Sequence, residues 1–365
     1  HNHLVPELLE KTKVPASAFE TLALLPSLLH LLEIRLHATE INEIFNLQCP
    51  VDLIMSAITA PAVDAVNNYE RLEFLGDSVL KYVTCLHNFR QYPNEREGPM
   101  SSVKQIEVSN RKLYDLATEK RLPGYICQDP FQKKLWLESH TSMKLPMKTI
   151  SDVVESIIGA CYTHGGLHHA IDFCVQLGLD VHSDHYPPLP DPYADVSPSS
   201  QDIQSAQSFK IQCTDVLWLV QAFTHGSVPN MPSYQRLEVL GDAALDLLVN
   251  ERLMESNRAM NPGELTKMKT DLVSNNALAA VACEYDLDRL VKCGDPHIIK
   301  DIKTYKLWMS SNKTDWFTKR APKVLADVLE ATVGAVIVDC EFDLKEAAVK
   351  LADLVDKVIT FQKRI

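Results

Sequence analysis

Residues 70–80 read E-R-L-E-F-L-G-D-S-V-L, and residues 235–245 read Q-R-L-E-V-L-G-D-A-A-L, so one motif occurs twice, 165 positions apart. If the first copy is helical, the carboxylates of Glu73 and Asp77 stand four residues apart on one face. Two like charges on one helical turn lower stability, so a fold that keeps them beside leucines needs a cation against them. The motif therefore predicts half of a metal site, present in duplicate. The second copy repeats the pair as Glu238 and Asp242.

A second acidic motif follows each copy. D-V-V-E runs from Asp152 to Glu155, and D-V-L-E runs from Asp327 to Glu330. Each repeat thus holds four carboxylates, which would repel one another and raise their pKa values unless a cation bound them. The donors are hard oxygens with no histidine or cysteine, which favours Mg²⁺ or Mn²⁺ over zinc. Such sites suit in-line displacement at phosphorus.

A lysine stands four residues before the second aspartate in each repeat, at Lys148 and Lys323. One helical turn separates each lysine from Asp152 or Asp327. Two interpretations remain open at this point. The ammonium group could contact a non-bridging phosphate oxygen, or it could pair only with the aspartate.

The composition is that of an ordinary soluble globular protein with two to three domains: 365 residues, 46% hydrophobic and 23% charged. Nine cysteines are scattered singly, which predicts a reducing compartment, cytoplasmic and/or nuclear. The most apolar segment, residues 22–36, is shorter than the roughly 20 residues that cross a bilayer. We therefore expect no transmembrane helix and no membrane partner, and instead a buried packing helix capped by Ser27.

The net charge of −12 argues against a nucleic-acid partner, but the local distribution argues for one. Residues 289–323 carry nine basic and three acidic side chains, and residues 121–148 carry five basic and two acidic ones. These stretches occupy matching places in the two repeats. Solvated loops are the alternative, but the recurrence favours a track for a polyanion.

The chain divides into four parts. Residues 1–45 are predicted connector helices, 46–182 a first domain, 183–205 a proline-rich linker and 206–365 a second domain. Strand-like alternation is absent, so we predict an all-α fold of two equivalent helical domains.

Smaller signals recur in both repeats. Ser109 and Ser274 each precede asparagine and predict helix caps. Gly159 and Gly334 are predicted to let helices pack closely. In the longer basic loop of the second repeat, tryptophans at 308 and 316 could stack on bases or anchor the loop.

Two copies of L-E-x-L-G-D, each with a downstream D-x-x-E-x-x-x-G-A, resemble the signature of ribonuclease III domains. Tandem copies in one chain are similar to the carboxy-terminal part of Dicer-type enzymes. The resemblance implies an intramolecular pseudo-dimer that cuts double-stranded RNA, one strand per domain, leaving 5′-phosphate, 3′-hydroxyl and a short 3′ overhang. It also implies a role in small-RNA production for RNA silencing.

The resemblance places the metal-binding and catalytic acids of the family on eight positions: Glu73, Asp77, Asp152, Glu155, Glu238, Asp242, Asp327 and Glu330. One departure is that the accessory acid opening the motif is Glu70 in the first repeat but Gln235 in the second. His225 also has no equivalent in the first repeat. The alternative function is a non-catalytic ribonuclease III-like scaffold that binds RNA or protein, which the eight retained acids disfavour.

The chain begins with His1, so we expect further domains of a longer chain. The resemblance implies that such domains measure RNA length and add affinity. Without them, we expect this chain to bind RNA weakly and to cut without a ruler.

Overall fold

The computed structural model describes residues 14–95, 98, 108–128, 145–258, 260–311 and 319–361. Helices account for the regular structure of these residues, and their only β-type pairings are two isolated bridges, Thr59 with Cys127 and Thr224 with Lys292. The all-α prediction is confirmed. The bridges stand at matching places in the two repeats.

The helices of the first half are α1 (Ala16–Ile44), α2 (Val51–Ile58), α3 (Glu70–Gln91), α4 (Asn110–Glu119), α5 (Met147–Gly165) and α6 (Leu167–Leu177). Those of the second half are α7 (Ser200–Gln207), α8 (Val216–Ala222), α9 (Gln235–Ser256), α10 (Pro262–Leu272), α11 (Asn275–Glu284), α12 (Leu287–Leu290), α13 (Pro296–Ser311), α14 (Lys323–Asp339) and α15 (Leu344–Phe361). Both predicted caps are confirmed, because Ser109 and Ser274 accept hydrogen bonds from the backbone three residues on.

Each domain is built on a crossing of two nearly buried helices, α3 with α5 and α9 with α14. Glycines stand at the contact. A Cβ on Gly76 would lie 1.7 Å from the carbonyl oxygen of Glu155, and a Cβ on Gly159 would lie 2.2 Å from that of Leu72. Only a hydrogen atom fits at either position. The prediction that Gly159 permits close packing is therefore confirmed. The same contact explains why the repeated motif has a glycine at Gly76. The second domain repeats the contact with Gly241, Glu330, Gly334 and Leu237.

The two domains meet where α3 packs on α9, and they exchange equivalent arginine contacts. Arg71 of α3 donates to the carbonyl oxygen of Asn257 at 3.3 Å, and Arg236 of α9 donates to that of Tyr92 at 2.8 Å. Both carbonyls lie just beyond the end of the partner helix, where backbone acceptors lack intrahelical donors. Each domain thus completes a helix terminus of the other.

Another contact fixes the register of this interface. Cys85 Sγ lies 3.2 Å from the carbonyl oxygen of Val239, the residue equivalent to Phe74 of the first repeat. The pseudo-twofold axis therefore passes near the middle of each helix, at residues 79–80 and 244–245.

The prediction that α1 is buried and begins at Ser27 is wrong. The helix begins at Ala16 and continues through Pro26. Its leucines are largely exposed up to Leu36, which is 59% exposed, and the buried residues begin with Ile34 and Ala38. Within the described residues, α1 contacts the first domain mainly through α2 and the turn at Leu122–Tyr125. An apolar composition alone does not bury a helix that has no neighbour.

The expectation that no segment reaches membrane-spanning length is also corrected. The stretch Ser17–Ile44 is long and apolar enough to cross a bilayer by length and composition, and 6% of its most apolar window is buried. Pro26 and the charges at Glu33 and Arg35 do not interrupt this helix. Signal sequences and core helices of soluble proteins pass the same test, so the stretch is weak evidence for a membrane partner.

Two further predictions need correction. The predicted linker of residues 183–205 contains the start of α7, because Ser199 and Asp202 form a reciprocal capping box. The predicted basic loop of the second repeat contains α13. Within it, Trp308 is half-buried and packs against the hydrophobic core, which favours the interpretation that it anchors the segment. Trp316 lies outside the described residues.

Substituting the motif glycine tests the helix crossing. We expect Gly76→Ala to lower the free energy of unfolding by about 3 kcal/mol, because the new methyl group meets a backbone carbonyl that cannot rotate away. Gly124→Ala is the matched control, since no atom lies within 4 Å of its Cβ position. Chemical denaturation of both variants checks this, and equal stabilities would contradict the proposed crossing.

Candidate active site

The crossing of α3 with α5 brings three predicted acids together. One carboxylate oxygen from each of Glu73, Asp152 and Glu155 lies within 4.8 Å of the other two. The crossing of α9 with α14 makes the same arrangement in the second domain. Its members are Glu238, Asp327 and Glu330.

The remaining two predicted acids, Asp77 and Asp242, lie beside these clusters rather than within them. Asp77 raises the pKa of Glu155, and Asp242 raises that of Glu330, so both carboxylates are close enough to act electrostatically. Asp77 itself is paired with Lys81, whose Nζ lies 2.5 Å from its carboxylate. Each domain therefore has three converging acids and a fourth one helical turn away.

Burial and mutual repulsion change the acidity of these groups. Burial, reinforced by the neighbouring acids, raises the pKa of Glu155 to about 9 and that of Glu330 to about 9. Burial and the charge of Asp152 raise the pKa of Glu73 to about 7. Without a metal ion, Glu155 and Glu330 therefore hold a proton at neutral pH. A divalent cation would relieve this repulsion, so the all-oxygen donor set fits a hard ion such as Mg²⁺.

The two lysines pair with the acids on their own helices. Lys148 Nζ lies 3.0 Å from the carboxylate of Asp152, and Lys323 Nζ lies 3.0 Å from that of Asp327. Lys323 also reaches Glu238 at 3.3 Å. Both lysine side chains are largely exposed, at 72% and 67%, so a second ligand can approach them. Pairing with the aspartate and access to a substrate are therefore compatible.

A tyrosine next to each cluster was missed by the sequence reasoning. The hydroxyl of Tyr234 donates to Asp327 Oδ2 at 3.2 Å in a buried position. In the first domain, burial and the charge of Asp152 raise the pKa of Tyr69 to about 12. The signal was present, because a tyrosine immediately precedes the repeated motif in both copies.

The two sites differ on the helix face that meets the other domain. Lys81 of α3 corresponds to Asp246 of α9, so a cation of the first domain is replaced by an anion in the second. Lys81 binds Asp77, whereas Asp246 binds Lys269 of α10 at 2.6 Å. Burial lowers the pKa of Lys81, whereas the charge of Asp246 raises it. Opposite charges thus stand near the pseudo-twofold axis.

The basic stretches are only partly available to a polyanion. Lys306 pairs with Asp288 at 2.8 Å, and Lys292 pairs with Asp202 at 2.7 Å, so these two lysines stabilise the fold. Lys300 and Lys303 lie exposed on α13. Four of the predicted basic residues fall outside the described part of the chain: Lys133, Lys134, Lys144 and Lys313.

Comparison with known protein families shows which family has this pair of sites. The sequence model described as Ribonuclease III domain matches residues 70–166 and 235–341, which include both acid clusters and both helix crossings. The chain belongs to the ribonuclease III family. Its two matched segments make it a tandem member, with one site in each ribonuclease III domain.

The ribonuclease III chain is similar to much longer relatives. It is 29% identical over 429 residues to Endoribonuclease Dicer homolog 3 of Arabidopsis thaliana, covering 100% of this chain and 26% of that protein. It is 30% identical over 357 residues to Protein Dicer of Schizosaccharomyces pombe, covering 88% and 26%. The chain thus spans about a quarter of the length of these relatives.

Among solved structures, Dicer from Giardia intestinalis matches 79% of this chain and 54% of its own, with a TM-score of 0.51 and 16% identity. This likeness concerns the fold. The nuclease domain of ribonuclease III from Campylobacter jejuni is 28% identical and covers 42% of this chain and 96% of its own, with a TM-score of 0.33.

The raised pKa values of Glu155 and Glu330 predict how the stability of the metal-free ribonuclease III chain depends on pH. A carboxyl group with a higher pKa when folded binds more protons in the folded state. Its stabilising effect is full below the unfolded pKa of about 4.5 and is lost as pH rises toward about 9. We expect the metal-free chain to melt at a lower temperature at pH 8 than at pH 6. Each buried carboxyl contributes up to about 1.4 kcal/mol per pH unit.

The double variant Glu155→Gln, Glu330→Gln is the matched test, because an amide does not titrate. Thermal melts in chelator at both pH values should show a smaller difference for this variant than for the wild type. An unchanged difference would show that other groups cause the pH dependence.

Proposed function

We propose that this chain is a divalent-metal-dependent endonuclease that cuts double-stranded RNA, with each ribonuclease III domain cutting one strand. The single observation that carries the proposal is the pair of equivalent all-oxygen acid clusters, one in each of two domains joined by reciprocal arginine contacts. A duplex has two strands to cut, and the duplicated site matches that requirement.

The residues that would hold the metal are the four acids of each domain: Glu73, Asp77, Asp152 and Glu155 in the first, and Glu238, Asp242, Asp327 and Glu330 in the second. The donor chemistry favours Mg²⁺, with Mn²⁺ as a substitute. When bound, such ions supply an activated water and neutralise charge on the phosphate and the leaving oxygen. The raised pKa values of Glu155 and Glu330 imply that metal binding releases protons.

Two lysines and a tyrosine of this chain are placed to bind the phosphate or to orient the acids. Lys148 and Lys323 each hold an aspartate of the cluster while exposing most of the side chain, so they are placed to contact a non-bridging phosphate oxygen as well. Tyr234 orients Asp327 by donating to one of its oxygens. The exposed lysines of α13 supply positive charge near the second domain.

The products and the biological setting are part of the proposal, and they rest on the resemblance to the ribonuclease III family and on the Dicer relatives. We propose 5′-phosphate and 3′-hydroxyl ends with a short 3′ overhang, and a role in small-RNA production for RNA silencing, supported by the Dicer relatives. The whole protein is proposed to be longer than this chain, as those relatives are. None of the nine cysteines, all of which lie in the described residues, forms a disulfide bond, which supports a reducing compartment in the cytoplasm or nucleus.

Strand-resolved cleavage tests the proposed function. A long RNA duplex labelled separately on each strand is incubated with Mg²⁺ and the wild type, Glu155→Ala or Glu330→Ala, then mapped on denaturing gels. We expect the wild type to cut both strands and each variant to cut only one, the opposite strand in the two cases, because each substitution removes one cluster.

Glu255→Ala is the control, since it removes an exposed acid of α9 outside both clusters. Loss of both cuts in a single-site variant would contradict one independent site per domain. Binding of the duplex without any cutting by the wild type would instead favour the scaffold alternative.

Substitution of the lysines separates charge pairing from substrate contact. We expect Lys323→Met to slow cutting of the strand assigned to the second domain about 100-fold, because a cation next to the reacting phosphate is lost. Lys148→Met should act on the other strand in the same way. Single-turnover rates at saturating Mg²⁺ check this. A lysine that only neutralises the acids would change the Mg²⁺ requirement and leave the saturated rate unchanged.

A further inference from the structure

The loop before α9 differs in chemistry from its counterpart in the first domain. Residues 225–227 read His-Gly-Ser, whereas residues 60–62 read Ala-Pro-Ala. The two loops are structurally equivalent, because Thr224 pairs with Lys292 just as Thr59 pairs with Cys127. His225 and Ser227 of the second domain therefore carry polar side chains where Ala60 and Ala62 of the first domain carry methyl groups.

The hydrogen bonds of this loop fix the tautomer of His225. The backbone N–H of Ser227 donates to Nδ1 of His225 at 3.1 Å, so Nδ1 is an acceptor. Ser227 Oγ accepts from the N–H of Gly294 at 2.9 Å, which leaves its hydrogen for Nδ1 at 2.8 Å. The ring proton therefore lies on Nε2, which has no hydrogen-bond partner among the residues that the structure describes.

The ring of His225 is held beside the second acid cluster. It makes an edge contact with the ring of Tyr234, with centroids 5.7 Å apart. The hydroxyl of Tyr234 in turn donates to Asp327 of the cluster. One tyrosine side chain thus separates the histidine from an acid of the proposed metal site, and the half-buried histidine remains open to solvent on the other side.

A second donor stands next to the same loop. A Cβ on Gly226 would lie 3.4 Å from Oε1 of Gln235, so the loop packs against this side chain. Ser233 Oγ donates a hydrogen bond to Oε1 of Gln235 at 2.9 Å. The amide nitrogen of Gln235 therefore points away from Ser233 and can donate to another group. In the first domain, the residue equivalent to Gln235 is Glu70, which carries a carboxylate in place of the amide N–H donors. The differences at His225 and at Gln235 therefore lie next to each other in the structure.

We propose that His225 and Gln235 form a phosphate-contact site of the second domain, which binds a backbone phosphate of the RNA strand that this domain cuts. The site offers two side-chain N–H donors, the chemistry that suits a phosphate oxygen. The first domain, with Ala60 and Glu70, has no equivalent site. The inference rests on the proposed function and extends it to unequal substrate contacts in the two domains.

The full chain provides an internal control, because each RNA molecule reports both cuts. We expect His225→Ala to slow the second domain's cut of bound RNA about tenfold, because the strand loses one hydrogen bond to a charged group that aligns it with this site. The rate of the first domain's cut of the same bound RNA should stay unchanged. Gln235→Glu should weaken the same cut, because it places a carboxylate next to the phosphate.

A duplex carrying single methylphosphonate linkages identifies the phosphate. One neutral linkage on the strand cut by the second domain should weaken cutting by the wild type but not by His225→Ala. His297→Ala, an exposed histidine on α13 of the same domain, is the control and should behave as the wild type.

Three results would overturn the inference while leaving the proposed function in place. These are an unchanged second cut in His225→Ala, equal loss of both cuts with a lower melting temperature, and the same methylphosphonate sensitivity in variant and wild type. If the wild type cuts neither strand, the proposed function fails, and the inference fails with it.

Discussion

The approach of two helices at a pair of glycines is the constraint on which each site depends. Gly76 and Gly159 leave room for the backbone of one helix against the backbone of the other, and the second domain repeats this contact. The carboxylates of the first motif stand on α3 and those of the second on α5, so they converge only if the helices cross this closely. The leucines around the crossing bury the acids, and this burial raises their pKa values.

A second constraint joins the domains. The exchange of Arg71 and Arg236 satisfies backbone acceptors at the ends of α9 and α3, so the paired state is favoured by hydrogen bonds that neither domain makes alone. The pairing is symmetric in backbone but not in charge. Lys81 faces the axis from one side and Asp246 from the other, and the loops before the two motifs carry different donors. A duplicated framework therefore supports two sites with different surroundings.

Much of this architecture could be predicted from the sequence. The all-α class, the caps at Ser109 and Ser274, and the packing role of Gly159 follow from local rules of spacing and composition. The acids could be found because they recur at helical spacing in both repeats. Tyr234 was missed although it precedes the motif in both copies, because no periodicity rule gives meaning to a single aromatic residue.

The errors share one cause, which is that burial depends on neighbours. The leucines of α1 predicted a core helix, but its amino-terminal part has no element packed on it within the described residues, and Leu36 is 59% exposed. The sequence predicts a loop for the basic stretch of the second repeat. In the structure, α13 forms there, and Lys306 pairs with Asp288. Charge counts along a chain do not show which lysines already have partners.

The sequence by itself determined the duplication, the eight acids and the helical spacing that puts each pair on one face, because these are properties of residue order. Only the tertiary structure decided that three acids of each domain converge within 4.8 Å while Asp77 turns to Lys81. It also decided that His225 lies one tyrosine away from Asp327. Those outcomes depend on how closely helices distant in sequence approach, and the physical limit on that approach is the space left by a missing Cβ.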